Sequence, residues 1–92
     1  MKTPTIQTLH PDPSKTNKNI PVNKYEQIRT ALLSILANGE LTHTELMEAL
    51  YQKVKDSFVG GVQWYGETVK LDLEARMLIT RTDDKPQKYK LL

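Results

Sequence analysis

The sequence predicts a mainly α-helical domain that ends in a β-hairpin. Three features lead to this fold class: apolar residues recur at helical spacing in three segments, helix-start signals precede two of them, and residues 78–92 have the pattern of two short strands around a polar turn. A chain of 92 residues with 38% hydrophobic residues is long enough for one small core. We therefore expect one domain rather than several.

Residues 1–21 are predicted to form an N-terminal arm in front of a domain that spans residues 22–92. Four of the five prolines lie in this arm, together with many Thr, Asn and Lys residues. Such a composition buries little apolar surface against the entropy cost of ordering the chain, so the arm is expected to be either extended or disordered. Its few apolar side chains, Ile6, Leu9 and Ile20, are expected to dock onto an apolar surface of the same or another subunit.

The first helix is predicted over residues 24–37. Asn23 is expected to cap its start, with Glu26 reaching back as the second half of a capping box. The pair Asn38-Gly39 predicts a left-handed stop. The side chains expected on the buried face are Tyr25, Ile28, Leu32, Ile35 and Leu36.

A second helix is predicted to begin at Thr42, because Thr42 and Glu45 have the spacing of another capping box. The side chains expected on its buried face are Leu46, Ala49, Leu50 and Val54. His43 falls in the first turn, and we interpret it as an ordinary exposed residue because helix starts are solvated and no second metal ligand lies near it in the sequence.

The third helix is predicted over residues 62–77, directly after Gly60-Gly61. On a helical wheel at about 100° per residue, the positions that share the core stripe with Leu73 are Val62, Gly66, Val69 and Met77. Gly66 is expected to be a close-packing position, since a glycine inside a helix otherwise costs about 1 kcal/mol.

The opposite side of this third helix carries a second, mostly apolar row. Its members are Trp64, Thr68, Leu71 and Ala75. A helix with two apolar faces needs two partners, and soluble monomers seldom leave a large apolar patch uncovered. We therefore expect Trp64 and Leu71 to be shielded, either by the arm or by a second subunit.

The C-terminal strands are predicted over residues 78–82 and 87–92, joined by the polar turn Asp83-Asp84-Lys85-Pro86. Three helices followed directly by a hairpin is the order of elements in a winged helix-turn-helix domain.

Several short motifs resemble a family of small bacterial winged-helix proteins of uncharacterised function. The motifs are Gly-Glu-Leu-Thr-x-Thr-Glu-Leu (39–46), Trp64-Tyr65, Thr-Val-Lys-Leu-Asp-Leu-Glu-Ala-Arg (68–76), Leu78-Ile79 and Pro86-Gln-x-Tyr89. The resemblance covers about residues 22–92 and implies a winged-helix fold, with DNA binding as the expected activity. The family has glycine just before Leu-Ile, where this chain has Met77. A left-handed turn at Met77 costs about 1–2 kcal/mol, which raises the alternative that the helix ends differently here.

Two hypotheses about the partner stay open. In the first, the domain binds double-stranded DNA, with helix residues at base edges and hairpin cations at phosphates: Gln63, Lys70, Arg81, Lys85 and Lys88. Both ends of the chain are basic, but the third helix carries three acidic residues against two basic ones. In the alternative, the module binds protein, most simply a second copy in a homodimer, through Trp64 and Leu71 and without DNA.

No catalytic constellation is visible, and we predict a binding protein rather than an enzyme. The chain has no cysteine, and its two histidines, His10 and His43, are far apart, so no metal site or other cofactor is expected. Neither an apolar run of membrane-spanning length nor a signal peptide is apparent, so we expect a cytoplasmic protein without a membrane partner.

Overall fold

A computed structural model describes residues 4–92, which form three helices and two small antiparallel sheets. The helices are α1 (Val22–Leu36), α2 (His43–Val54) and α3 (Val62–Ala75). The first sheet pairs β1 (Thr5–Gln7) with β2 (Asn19–Pro21). The second sheet contains β3 (Leu41–Thr42), β4 (Ile79–Arg81) and β5 (Lys88–Leu91) in the spatial order β3-β5-β4.

The three helices pack around one core, and most of the apolar positions predicted from helical spacing lie in it. Leu32 of α1, Leu50 of α2 and Leu73 of α3 have no solvent exposure. The other buried apolar residues of the helices are Tyr25, Ile28, Ala31, Leu36, Leu46, Met47, Val54, Val62 and Val69. Helical periodicity therefore located the core correctly, because burial of apolar area is the dominant favourable term in folding.

Gly66 is buried where α3 crosses α2. A β-carbon at this position would lie 2.7 Å from the Leu50 side chain and 3.0 Å from the Met47 sulfur. The predicted close-packing role of Gly66 is thus confirmed.

The two predicted capping boxes have different outcomes. The one on α2 is confirmed: the Glu45 N–H donates to Thr42 Oγ1 at 3.2 Å, and the Thr42 N–H donates to the Glu45 carboxylate at 2.9 Å. This backbone hydrogen bond from Thr42 lowers the pKa of Glu45. The one on α1 is wrong, since the helix begins one residue before Asn23 and has no side-chain cap.

The arm explains the early start of α1. The Val22 N–H donates to the Pro4 carbonyl at 2.9 Å, so the hairpin of β1 and β2 continues directly into the helix. Ile6 pairs with Ile20 across this hairpin, and Ile20 is buried in the core. In this structure the arm therefore takes the extended form over β1 and β2, while residues 1–3 of the predicted arm lie outside the described residues.

The C-terminal hairpin is confirmed, with Ile79 opposite Leu91 and Thr80 opposite Lys90. Sequence reasoning missed β3, whose Leu41 pairs with Tyr89 of β5. A strand of two residues is too short to show an alternating pattern.

Met77 lies past the end of α3 rather than in its core stripe. Its φ angle is +63° and its side chain is 73% exposed, so its predicted burial is wrong. The Leu78 N–H donates to the Leu73 carbonyl at 3.0 Å, which closes the helix around a left-handed residue. The helix thus ends at a left-handed methionine, so the alternative of a different helix end is wrong.

We expect Leu73→Ala to lower the free energy of unfolding by about 2–5 kcal/mol, because it leaves a cavity between the three helices. Leu92→Ala is the matched control, since Leu92 is 68% exposed and its truncation should change stability by less than about 0.5 kcal/mol. Denaturant titration of both variants measures the difference. Equal losses would show that Leu73 is not central to the core.

We expect Met77→Gly to raise the free energy of unfolding by about 0.5–1 kcal/mol. Glycine removes the left-handed cost of about 1–2 kcal/mol but adds entropy to the unfolded chain. Met77→Ala keeps the β-carbon and should leave stability nearly unchanged, so the two variants separate backbone strain from loss of the side chain. Thermal unfolding of each reports the result, and destabilisation by glycine would contradict it.

Candidate interaction surface on helix α3

The arm covers one flank of α3 and is held there by hydrogen bonds to a buried carboxylate. Asp72 has no solvent exposure and accepts hydrogen bonds from three donors in three parts of the chain. The Leu9 N–H donates at 2.8 Å and the Tyr25 hydroxyl at 2.5 Å. Arg76 Nε donates at 2.9 Å, and this hydrogen bond to Asp72 raises the pKa of Arg76. The arm, α1 and the end of α3 therefore meet at one charged group.

Asn17 fastens the loop of the arm to the same flank. Its side-chain amide donates to the Leu9 carbonyl at 2.8 Å and to the Thr68 carbonyl at 2.9 Å. Thr68 is buried. The arm thus covers the Thr68 and Asp72 side of α3.

The other flank of α3 is closed by α2 and β5 around Lys70. Although predicted to read base edges, Lys70 is only 3% exposed. Its ammonium donates to the Tyr89 hydroxyl at 3.0 Å and lies 4.2 Å from the centroid of the Tyr89 ring. In this structure the Lys70 charge is turned inward against β5, so its ammonium is not presented to base edges as the sequence had suggested.

His43 completes the network around Lys70 and is more than the ordinary surface residue that we expected. Lys70 Nζ lies 3.1 Å from His43 Nδ1. An ammonium only donates, so Nδ1 is the acceptor and the neutral ring carries its proton on Nε2. That nitrogen faces a carboxylate oxygen of Glu67 at 3.4 Å. His43 therefore links the start of α2 to the surface of α3.

The hairpin cations assigned to phosphate contacts lie in different environments. Arg81 Nε donates to Glu74 of α3 at 2.8 Å, and this hydrogen bond raises the pKa of Arg81. Lys88 is half-buried on β5. Lys85 in the turn is exposed. Of the three, Lys85 is thus the one that projects freely into solvent.

Between the two closed flanks, α3 presents a row of side chains that we call the exposed strip, formed by Gln63, Trp64, Glu67 and Leu71. Trp64 is 50% exposed with the arm in place, Leu71 is half-buried, and Gln63 and Glu67 are exposed. The expectation that the arm shields Trp64 is wrong. The arm is held farther along α3 by Asp72, and its Ile20 enters the core instead.

The Trp64 ring is held by its aromatic neighbours. Its centroid lies 4.9 Å from that of Tyr65 at an interplanar angle of 78°, and Tyr65 packs edge-on against Phe58 at 5.2 Å. Lys24 Nζ lies 5.1 Å from the Tyr65 ring centroid. A β-carbon at Gly60, whose φ is +130°, would come within 3.1 Å of the Tyr65 ring. Glycine is therefore required for this loop to pass so close to the aromatic group.

A cavity of about 260 Å³ adjoins the strip between α2 and α3. Its lining residues are His43, Thr44, Met47, Glu48, Gln63 and Glu67. Among residues 4–92, no group of three His, Asp or Glu side chains is placed to hold a metal ion. No helix in the same range is long and apolar enough to cross a membrane.

Local sequence patterns gave little warning that Lys70 and Asp72 are buried. On the helical wheel Lys70 lies about 60° from Leu73, at the margin of the core stripe, and Asp72 lies about 100° away. Their partners Tyr89 and Tyr25 are 19 and 47 residues distant in sequence. The angle of Lys70 was the one usable signal.

We expect Tyr25 to give a late component in an alkaline titration of the folded protein. Burial, and then the hydrogen bond to Asp72, raise the pKa of Tyr25 from 10.0 to about 12. Because the fold favours the neutral phenol, its contribution to stability is complete below about pH 10 and is lost as the pH rises through about 12. Tyrosinate absorbance and the free energy of unfolding, measured across this window, report both effects.

Tyr25→Phe should remove the late component and the associated pH dependence, whereas Tyr51→Phe, at an exposed position of α2, should keep both. A titration of the folded wild-type protein without a late component would contradict the prediction.

Comparison with known proteins places the chain in a family. No curated protein and no solved structure matches it. The model of a protein family described as "Family of unknown function (DUF6958)" matches residues 5–89, a range that includes the arm hairpin, all three helices and most of the second sheet. The chain therefore belongs to this family of unknown function.

Proposed function

We propose that this chain is a winged helix-turn-helix module, not an enzyme, and that it binds another protein through the exposed strip of α3. The fold proposal is supported by the order of elements, with α1, β3, α2 and α3 followed by the hairpin of β4 and β5. The second sheet adds to this support, because β3 joins the hairpin beside β5 and so ties the segment between α1 and α2 to it.

The observation that carries the choice of a protein partner is the chemistry of the exposed strip. A helix that reads DNA presents polar and basic side chains to base edges and phosphates. Beside the exposed amide of Gln63, the strip presents Trp64, Leu71 and the carboxylate of Glu67, while Lys70, the sole basic residue within Val62–Ala75, is buried. Placing Glu67 against a polyanion is electrostatically unfavourable.

Protein binding at this surface has a sufficient energetic basis. Tryptophan buries about 150–250 Å² when fully covered, so covering the exposed half of Trp64 removes about 100 Å² from water. At about 25 cal/mol per Å², this contributes about 2.5 kcal/mol from one side chain. Tryptophan is also among the residues that most often dominate interface energies. Trp64 is thus placed to be the centre of a contact.

A photoreactive phenylalanine analogue at position 64 tests this proposal in the native host cell. We expect ultraviolet light to yield a discrete adduct that protease removes and nuclease leaves intact. The same analogue at position 51 is the matched control, because Tyr51 is similarly exposed but lies on α2. An adduct that nuclease degrades, or equal labelling at both positions, would overturn the proposal.

DNA binding is tested separately by fluorescence anisotropy with a labelled mixed-sequence duplex. DNA-binding domains hold non-specific duplex with a Kd of about 10⁻⁴–10⁻⁶ M at physiological salt, and we expect no binding in this range. If the chain does bind, the double variant Lys85→Gln, Lys88→Gln should reduce the salt slope by about 2, as expected for two lost phosphate contacts. Binding together with a reduced salt slope would support DNA binding by the hairpin of β4 and β5.

A further inference from the structure

We infer that the protein bound at the exposed strip is a second copy of this chain, related by a two-fold axis that lies in the contact plane and runs parallel to α3. This inference rests on the proposed function, since it requires the strip to be a protein contact. It adds the identity of the partner and the orientation of the pair. It also assigns a cross-subunit ion pair between Lys24 of one copy and Glu67 of its mate.

The contact surface is apolar along its centre. Trp64 lies in the first turn of α3 and is half exposed. Leu71 lies two turns farther along the strip. The packing of Trp64 against Tyr65 and of Tyr65 against Phe58 fixes the central ring, so little side-chain entropy is lost on contact. Such a preformed apolar ridge is suited to pack against another apolar ridge.

Charges of opposite sign lie on the two sides of this ridge. Successive residues of a helix are rotated by about 100°, so Tyr65 lies on one side of Trp64 and Glu67 on the other. The Lys24 ammonium is on the Tyr65 side, 5.1 Å from that ring. The Glu67 carboxylate is half exposed and lies on the His43 side. The surface therefore carries a positive edge and a negative edge.

A surface with this pattern is complementary to itself in one orientation. Rotation about an axis parallel to α3 brings the positive edge of each copy against the negative edge of the other and places the two Trp64 rings together at the centre. Rotation about an axis across α3 would instead bring like charges together. Tyr65 and Glu67 differ in height along the helix by about 3 Å, which the flexible Lys24 and Glu67 side chains span. The charges thus select the parallel arrangement.

The chemistry that the strip requires of its partner favours a second copy of the chain over a different protein. A different protein would need an apolar ridge flanked by a cation on one side and a carboxylate on the other, and the chain already supplies that surface. Its net charge of only +2 opposes self-association weakly. A second copy therefore meets every requirement that the strip imposes.

Charge-reversal variants of the full chain test the inference by sedimentation over about a hundredfold range of concentration. We expect the wild-type chain to form dimers and to show a blue shift of Trp64 emission as they form. Trp64→Ala should abolish dimers, while Tyr51→Ala, at a comparably exposed position, should leave them unchanged. Lys24→Glu alone and Glu67→Lys alone should each weaken dimerisation at least about tenfold, because each places two like-charged pairs across the contact.

Mixing the Lys24→Glu chain with the Glu67→Lys chain is the decisive measurement. In the mixed dimer both cross-subunit pairs are again of opposite charge, so we expect heterodimers with near wild-type affinity. A purely internal effect of Glu67→Lys on His43 and Lys70 would not be rescued by a change at position 24 of another chain. Circular dichroism of each variant verifies that it is folded.

Three outcomes would overturn the inference: a monomeric wild-type chain at all concentrations, dimers that survive Trp64→Ala, or dimers without rescue in the mixture. The first of these, together with a nuclease-resistant adduct from position 64 to a different protein, would leave the proposed function standing. Absence of both dimers and a protein adduct would remove the two proposals together.

Discussion

The buried carboxylate of Asp72 is the interaction on which the arrangement around α3 depends. An isolated charge removed from water costs several kcal/mol, so Asp72 is tolerated only with donors around it. Those donors come from the Tyr25 hydroxyl of α1, the Leu9 backbone of the arm and the Arg76 side chain just beyond α3. Satisfying this one group therefore fixes the position of the arm along α3. It also explains why the arm stops short of Trp64.

A second buried charge closes the opposite flank of α3. Lys70 precedes Asp72 by two residues, which on a helix turns its side chain to the other side, toward β5 and α2. Its ammonium is satisfied by Tyr89 and His43, as a buried lysine requires. Asp72 and Lys70 thus divide the surface of α3 between two polar networks. What remains to solvent is the strip that contains Trp64 and Glu67.

The sequence predicted the features that depend on local or periodic signals. Helical spacing located Leu32, Leu50 and Leu73 in the core, and the Thr42 capping box and the C-terminal hairpin were recognised from short motifs. Prediction from the sequence failed where a group distant in the chain determines the environment of a residue. In the sequence Lys70 looks like an ordinary solvated helix residue, but it is buried against Tyr89 of the hairpin. The start of α1 likewise depends on Pro4, which is distant in sequence. The predicted burial of Met77 was wrong for another reason. The fold requires a left-handed backbone at this position, which is unfavourable for any residue with a β-carbon.

On α3 two charged side chains are buried and a large aromatic side chain is half exposed, which is the reverse of the usual pattern of burial. Lysine and aspartate are almost never fully buried unless they are paired, whereas a large aromatic ring is usually mostly covered. Here Lys70 and Asp72 are inside and Trp64 is half exposed, on a helix whose other faces are already occupied. Two polar networks that hold the arm and the second sheet away from Trp64 keep that ring in solvent in the isolated chain. A surface maintained in this way is best explained by a partner that covers it, because the isolated chain gains nothing from leaving an apolar ring in water.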